Sequence, residues 1–259
     1  MNLSLTAKTA VVTGASKGIG LATVRTLIDE GVRVVGAART ITPELKKTGA
    51  HAVSADLSTA EGVSALIDSA LAELGGIDLL VNNVGGGDDV TYDFLDAPDT
   101  AWTSTFDINL LSTVRATREA LPSLLERQGA IVNVSSVRAR LPSGPPVAYG
   151  AAKAALNALG KSLAEEFGPR GVRVNTITPG AVRTSVYEDP DGPVGRMAAA
   201  AGKSLADMEQ SAVKARNVTT GRITEAKEVA ALIAFLLSDA AGNITGANYV
   251  IDGGTIKTV

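Results

Sequence analysis

Short apolar and β-branched runs recur along the chain, with longer stretches of helical periodicity between them. TAVVTG (9–14), VRVVGA (32–37), HAVSAD (51–56), IDLLVNN (77–83), AIVNVSS (130–136), VRVNTIT (172–178) and ANYVIDG (247–253) read as seven strands. The early ones are apolar almost throughout, as strands covered on both faces of a parallel sheet are. Residues 18–30 carry Ile19, Val24, Leu27 and Ile28 at helical spacing. Residues 59–74 open on a capping-box pattern, Ser58 to Glu61, and 100–126, 147–168 and 225–239 are also helix-periodic. Strand and helix in alternation imply right-handed crossovers and a doubly wound α/β sheet with helices on both faces. No linker divides the pattern, so residues 1–259 read as one domain. The irregular part is about 183–219, rich in Pro, Gly, Asp and Ala, with a helix expected from Leu205 to Arg216; a segment of that kind in a compact domain reads as a substrate lid.

Composition narrows what such a domain does. The chain has 259 residues, is 45% hydrophobic and carries a net charge of −3 with both signs scattered, so it builds its own core and offers no basic stripe to nucleic acid or anionic lipid. It has no cysteine, which removes disulfides, thiolate nucleophiles and thiolate metal sites, and the single His51 makes no histidine cluster; no metal site is expected. The start, MNLSLTAKTAVV, lacks a basic segment followed by an apolar stretch, and the run VAALIAFLL is nine residues long, against the roughly 18 needed to cross a bilayer. A soluble, cytoplasmic protein is expected.

Chemistry in a doubly wound sheet sits at the carboxyl ends of its strands. The first end reads TGASKGIG, Thr13 to Gly20. Glycines there allow a sharp turn and close backbone approach to a pyrophosphate, and the following helix presents free N–H groups to it. The spacing is G-x3-G-x-G, which differs from the common G-x-G-x-x-G fingerprint. Further along, Tyr149 and Lys153 lie four apart on one helix, hence on one face. A tyrosine of ordinary pKa, about 10, exchanges protons poorly at neutral pH unless a nearby cation favours phenolate.

This glycine spacing, with Asn82-Asn83-Val84-Gly85 after the fourth strand, Ser136 after the fifth, Tyr149-x-x-x-Lys153 on the next helix and Pro179-Gly180 after the sixth, resembles the short-chain dehydrogenase/reductase family over about residues 5–255. The resemblance implies a single-domain Rossmann-type fold, a nicotinamide cofactor, and hydride transfer between a hydroxyl-bearing carbon and a carbonyl, without metal. It assigns a tetrad: Ser136, thirteen residues before Tyr149, orients the substrate oxygen; Tyr149 is the general acid/base; Lys153 lowers the tyrosine pKa and binds the nicotinamide ribose; Asn109, in FDINLLS, holds a helix distortion and a water. Ser135 is the neighbouring alternative to Ser136, and spacing alone separates them.

For the cofactor, the resemblance implies contacts from Gly14, Ser16, Lys17, Gly18, Ile19 and Gly20, from Asp56 and Leu57 to the adenine, from Asn83, Val84 and Gly85, from Tyr149 and Lys153, and from Pro179, Gly180, Val182 and Thr184, the last to the carboxamide. Ala38 stands where NAD-using members tend to carry aspartate, and Arg39 follows. With Lys17 in the glycine turn, two cations are available for a 2′-phosphate, as in NADP-preferring members similar to 3-oxoacyl reductases; the other reading leaves both as solvated charges. NADP(H) is therefore preferred, with NAD(H) as second choice.

The substrate is less legible. Ser136 is followed by Val137-Arg138-Ala139-Arg140 where the family often has small residues. Arg138 reads either as a substrate-facing cation suited to an acidic group, or as a solvated arginine paired with Asp88 or Asp89. Residues 85–94 and the 183–219 segment, with Tyr187, Met197 and Met208, are expected to complete the pocket. His51 reads as a surface residue and Trp102 as helix packing. The resemblance implies a homotetramer, with a dimer as the alternative. The rival functions are an NAD-dependent alcohol, sugar or steroid dehydrogenase, and a non-catalytic nucleotide-sensing protein.

Overall fold

The computed structural model describes residues 3–86, 92–142 and 146–258. β1 (Thr9–Thr13), α1 (Gly18–Asp29), β2 (Arg33–Ala38), the single turn α2 (Pro43–Lys46), β3 (His51–Ser54), α3 (Ala60–Leu74) and β4 (Leu79–Asn82) form the first half. α4 (Asp99–Phe106) runs through a π-helical turn (Asp107–Leu111) into α5 (Ser112–Glu126), followed by β5 (Ala130–Val134), α6 (Val147–Phe167) and β6 (Arg173–Pro179). β7 (Val182–Arg183), α7 (Ser185–Glu188), α8 (Pro193–Ala200), α9 (Leu205–Ala215) and β8 (Thr224–Glu225) then precede α10 (Ala226–Leu237) and β9 (Asn248–Ile251).

The seven long strands make one parallel sheet in the order β3-β2-β1-β4-β5-β6-β9. The strand order reverses its progression across the sheet between β1 and β4, the switch point at which open α/β sheets form a crevice at their carboxyl ends. Alternating residues of each strand face opposite layers. Val12, Val34, Val132 and Ile177 pack with Val24, Leu27, Ile233 and Leu237 of α1 and α10, whereas Val11, Leu80, Ile131 and Val174 pack with Leu66, Ala120, Leu124 and Phe167 of α3, α5 and α6. All seven expected strands and the five long helices form, because two-sided burial and helical periodicity are read locally.

Three details differ from the sequence reading. α3 is capped by Thr59, whose hydroxyl accepts from the Gly62 N–H, while Ser58 turns back to donate to Asp56 at 2.7 Å. The expected helix 100–126 is interrupted by the π turn at Asn109. The irregular segment folds further than expected: β7 and β8 pair in parallel at its two roots, and α7 and α8 join α9 within it. Short elements of this kind carry too few residues for a period to show. Among the described residues, no helix is long and apolar enough to cross a membrane.

Candidate active site

The glycine turn is built first. Gly14 has φ +67°, and a side-chain carbon at Gly20 would stand 2.1 Å from the Gly14 carbonyl, so the chain after β1 folds directly onto the first turn of α1. The Asn83 amide secures it, donating to the carbonyls of Thr13 at 2.9 Å and Gly14 at 3.2 Å. The Thr13 hydroxyl in turn accepts the Asn83 and Val84 N–H groups, each at 2.9 Å. The Asn83 side chain thereby staples β1 to β4 at the switch point, leaving its backbone for the expected cofactor contact. Lys17 stands exposed at the start of α1, which has no side-chain cap.

A polar lattice brings the end of β2 to this turn. The Ser16 hydroxyl donates to the Thr40 carbonyl at 2.5 Å, Thr42 returns a bond to the Ser16 carbonyl at 2.9 Å, and Ser54 holds the Arg39 carbonyl at 3.0 Å. Arg39 thus extends from a fixed backbone next to the turn that carries Lys17. Leu57 is buried, and Asp56 is exposed at the end of β3. The Ser58 hydroxyl and N–H, with the charge of Arg39, hold the Asp56 carboxyl below its usual range.

The four tetrad positions converge at the carboxyl ends of β4 and β5. Ser136 follows β5; its hydroxyl accepts the Arg138 N–H at 3.2 Å and stands near enough to the Tyr149 phenol to favour its ionised form. Ser135 is buried and donates to the Lys153 carbonyl at 3.2 Å, so the structure separates the two serines: one faces the tyrosine, the other braces α6. Lys153 is 3% exposed; its ammonium donates to the Val134 carbonyl at 3.0 Å and lies 5.8 Å from the Tyr149 ring centre. Burial lowers the Lys153 pKa from 10.5 to about 8. A side-chain carbon at Gly85 would meet the Lys153 ammonium at 3.0 Å and Asn109 Oδ1 at 2.8 Å, which joins these residues in one pocket wall.

Tyr149 is half-buried, and desolvation raises its phenol above the ordinary value, opposed first by the Ser136 hydroxyl and then by the charge of Arg138. Arg138, on the one-turn 3₁₀ helix Val137–Ala139, brings a positive charge to the phenol that the sequence reading did not assign to it. Lys153 has turned its ammonium toward Val134. The residues proposed from sequence as partners of Arg138, Asp88 and Asp89, lie outside the described residues, as do 87–91 of the expected pocket segment.

Asn109 is fully buried in the π turn. Its amide donates to the carbonyls of Thr105 at 2.9 Å and Gly86 at 2.7 Å, and its Oδ1 accepts the Gly86 N–H at 3.0 Å. Besides sitting in the distorted turn, it clasps the segment leaving β4 like one rung of a sheet. The end of β6 closes the crevice: Gly180 donates to the Ile251 carbonyl at 2.9 Å, and the Thr184 side chain packs so tightly on Gly18 that an added carbon there would lie 3.0 Å from its methyl. Val182 has its side chain in the core, leaving its backbone at the site.

Arg183, between these two, escaped the sequence reading. Its guanidinium bonds Glu209 of α9 and Glu225 of β8, partners 26 and 42 residues away with no shared period to reveal them. His51 lies at the amino end of β3, 3.5 Å from Glu73 on the surface. Trp102 stacks on Phe106 at 6.3 Å and meets Phe94 edge-on at 6.2 Å, as expected of a packing residue.

Comparison with known proteins agrees with this geometry. A family model described as "Enoyl-(Acyl carrier protein) reductase" matches residues 14–255. The chain is 36% identical to 3beta-hydroxysteroid dehydrogenase 1 of Eggerthella lenta, over 96% of this chain and 94% of that one. It is 32% identical to a 3-oxoacyl-(acyl-carrier-protein) reductase of Vibrio cholerae, over 97% and 98%. The structure of L-sorbose reductase from Gluconobacter frateurii, complexed with NADPH and L-sorbose, superposes with a TM-score of 0.92 at 31% identity, covering all of both chains. With the glycine turn, the Ser-Tyr-Lys face and the buried asparagine in one crevice, the chain belongs to the short-chain dehydrogenase/reductase family, oxidoreductases of CH–OH and C=O groups.

Proposed function

We propose that this protein is an NADP-dependent ketoreductase, interconverting a carbonyl and a secondary alcohol. The observation that carries the reading is the meeting of Ser136 and Tyr149 beyond the carboxyl end of β5, close enough for the Ser136 hydroxyl to act on the phenol, with Lys153 one turn along the same helix. The site fits a dinucleotide: Gly14, Gly18 and Gly20 let the turn pack against Asn83, Thr184 and its own backbone with no side chain projecting from them, and exposed Lys17 and Arg39 are the cations that would meet the 2′-phosphate of NADPH. The remaining contacts, from Ser16, Ile19, Asp56, Leu57, Asn83 to Gly85, Pro179, Gly180, Val182 and Thr184, are assigned to the same cofactor.

In the reduction direction, Ser136 and Tyr149 hold the substrate carbonyl oxygen between their hydroxyls, polarising it. NADPH, when bound, would supply the hydride that the carbonyl carbon accepts. Tyr149 gives its proton to the oxygen as the C–O double bond becomes single, leaving phenolate and alcohol. Arg138 stabilises that phenolate, and Lys153, held at a pKa of about 8, is suited to return a proton near neutral pH. Asn109 fixes the backbone of Gly86 beside them. Arg138 also faces the substrate side and suits an acidic group. Residues 183–219 act as the lid. A homotetramer in the cytoplasm completes the reading, checked by sedimentation of the purified protein.

The test is a panel of keto sugars, oxosteroids, 3-oxoacyl thioesters and keto acids, followed by nicotinamide absorbance with NADPH and NADH. Turnover with NADPH favoured at least about tenfold, and reversal of that preference in Lys17→Ala/Arg39→Asp, is expected. A specificity constant for NADH equal to that for NADPH favours the NAD-dependent dehydrogenase instead. Binding of NADPH without turnover of any member favours the nucleotide-sensing reading.

A further inference from the structure

The segment between β7 and β8 leaves the sheet and returns to it at adjacent points, with Val182 opposite Thr224 and Arg183 opposite Glu225. Its far helix, α9, has little apolar purchase. Only Val213 of its described residues is buried, in a small cluster with Val218 and Ile223 flanked by Ala181 and Tyr187. Against this weak packing stands one strong polar contact. The Arg183 guanidinium lies flat against Glu209 of α9, with one terminal nitrogen 2.7 Å from Oε2 and the other 2.7 Å from Oε1. Its Nε bonds Glu225 at 2.9 Å.

The Glu209 side chain is 12% exposed. Taking a carboxylate that far from water on a peripheral helix is unfavourable unless a partner meets both oxygens, and a planar guanidinium does so. Glu225 alone would anchor Arg183 to its own strand pair. The fork on Glu209 serves only to hold α9. On its other side Arg183 is followed by Thr184, whose side chain rests against Gly18 of the glycine turn. One residue therefore connects α9 with the floor of the cofactor crevice.

The return end of the segment is fixed separately. Arg222 forms its own fork on Glu228 of α10, at 2.7 Å for each bond, and Thr220 donates to the Gly253 carbonyl at 3.0 Å. The roots stay in place if α9 moves.

We propose that Arg183 is a positioning residue of the active site: its fork on Glu209 holds α9 closed and sets Thr184 against the glycine turn, so that closure of this segment and occupancy of the cofactor crevice favour each other. This rests on the reading of 183–219 as the lid, and it makes the closed state a two-state element biased from both sides.

The experiment compares Glu209→Gln, Arg183→Lys and Arg222→Gln with the wild type by hydrogen exchange, with and without NADPH. In Glu209→Gln the amides of residues 205–215 should exchange about tenfold faster without NADPH, while sheet amides and the thermal midpoint are unchanged. NADPH should slow that exchange and bind several-fold more weakly than to wild type. Arg183→Lys, which keeps the charge and loses the fork, should fall between, and Arg222→Gln should leave α9 as in wild type. In turnover, the substrate KM should rise about tenfold with kcat within about twofold. Unchanged exchange on α9 in Glu209→Gln, or equal acceleration in Arg222→Gln, overturns the proposal. If no carbonyl compound turns over, the assigned activity fails, and the exchange and NADPH titrations still decide the latch.

Discussion

Replacing Lys153 by methionine should change the pH dependence of stability in a direction fixed by its burial. The ammonium is 3% exposed and its pKa falls from 10.5 to about 8 on folding. Below about pH 8 both native and unfolded chains hold the proton, and the native state bears the whole cost of the buried charge. Between about pH 8 and 10.5 the unfolded chain holds a proton that the native state has lost, so stability rises with pH. At about 1.4 kcal/mol per pH unit between these two values, the whole difference amounts to about 3.5 kcal/mol. Methionine has similar length and no titrating group. The bond to the Val134 carbonyl is lost at every pH and cancels from the comparison. Urea unfolding of both proteins at about pH 7 and about pH 10, which lies just short of the unfolded lysine's pKa, should therefore show the wild type gaining about 2.5 kcal/mol on Lys153→Met as pH rises. A gap that stays constant within about 0.5 kcal/mol, or moves the other way, would refute the claim that the native state buries a charged lysine here.

Three further substitutions probe the site. Gly20→Ala pushes a carbon to 2.1 Å from the Gly14 carbonyl and should abolish measurable NADPH binding by calorimetry and cost about 2 kcal/mol of stability or more. Asn109→Ala strips partners from Gly86 and the Thr105 carbonyl; a loss of about 2–4 kcal/mol in urea unfolding and at least a tenfold fall in kcat are expected. Arg138→Ala removes a cation that favours the phenolate, so the acid limb of alcohol oxidation, where Tyr149 must be ionised to act as base, should move to higher pH, and the KM of an acidic ketone should rise more than that of a neutral one.

What the sequence determined by itself is the part written in local pattern. Continuous apolar runs set the seven strands, helical periodicity set the long helices, and glycine spacing placed the turn after β1, because each depends on neighbours within a few residues. The four-residue interval put Tyr149 and Lys153 on one face for the same reason. The tertiary structure decided which partner each polar group met. It turned Ser135 to the Lys153 carbonyl and set Ser136 beside the phenol, spent the Asn83 amide on the glycine turn, and brought the charge of Arg138 to Tyr149 while the Lys153 ammonium bonds the Val134 carbonyl. It also joined Arg183 to Glu209, a contact that exists only because the chain leaves the sheet at β7 and returns at β8. Hydrogen bonds and ion pairs act over a few ångströms whatever the distance along the chain, so no sequence interval encodes them; the fold supplies that proximity.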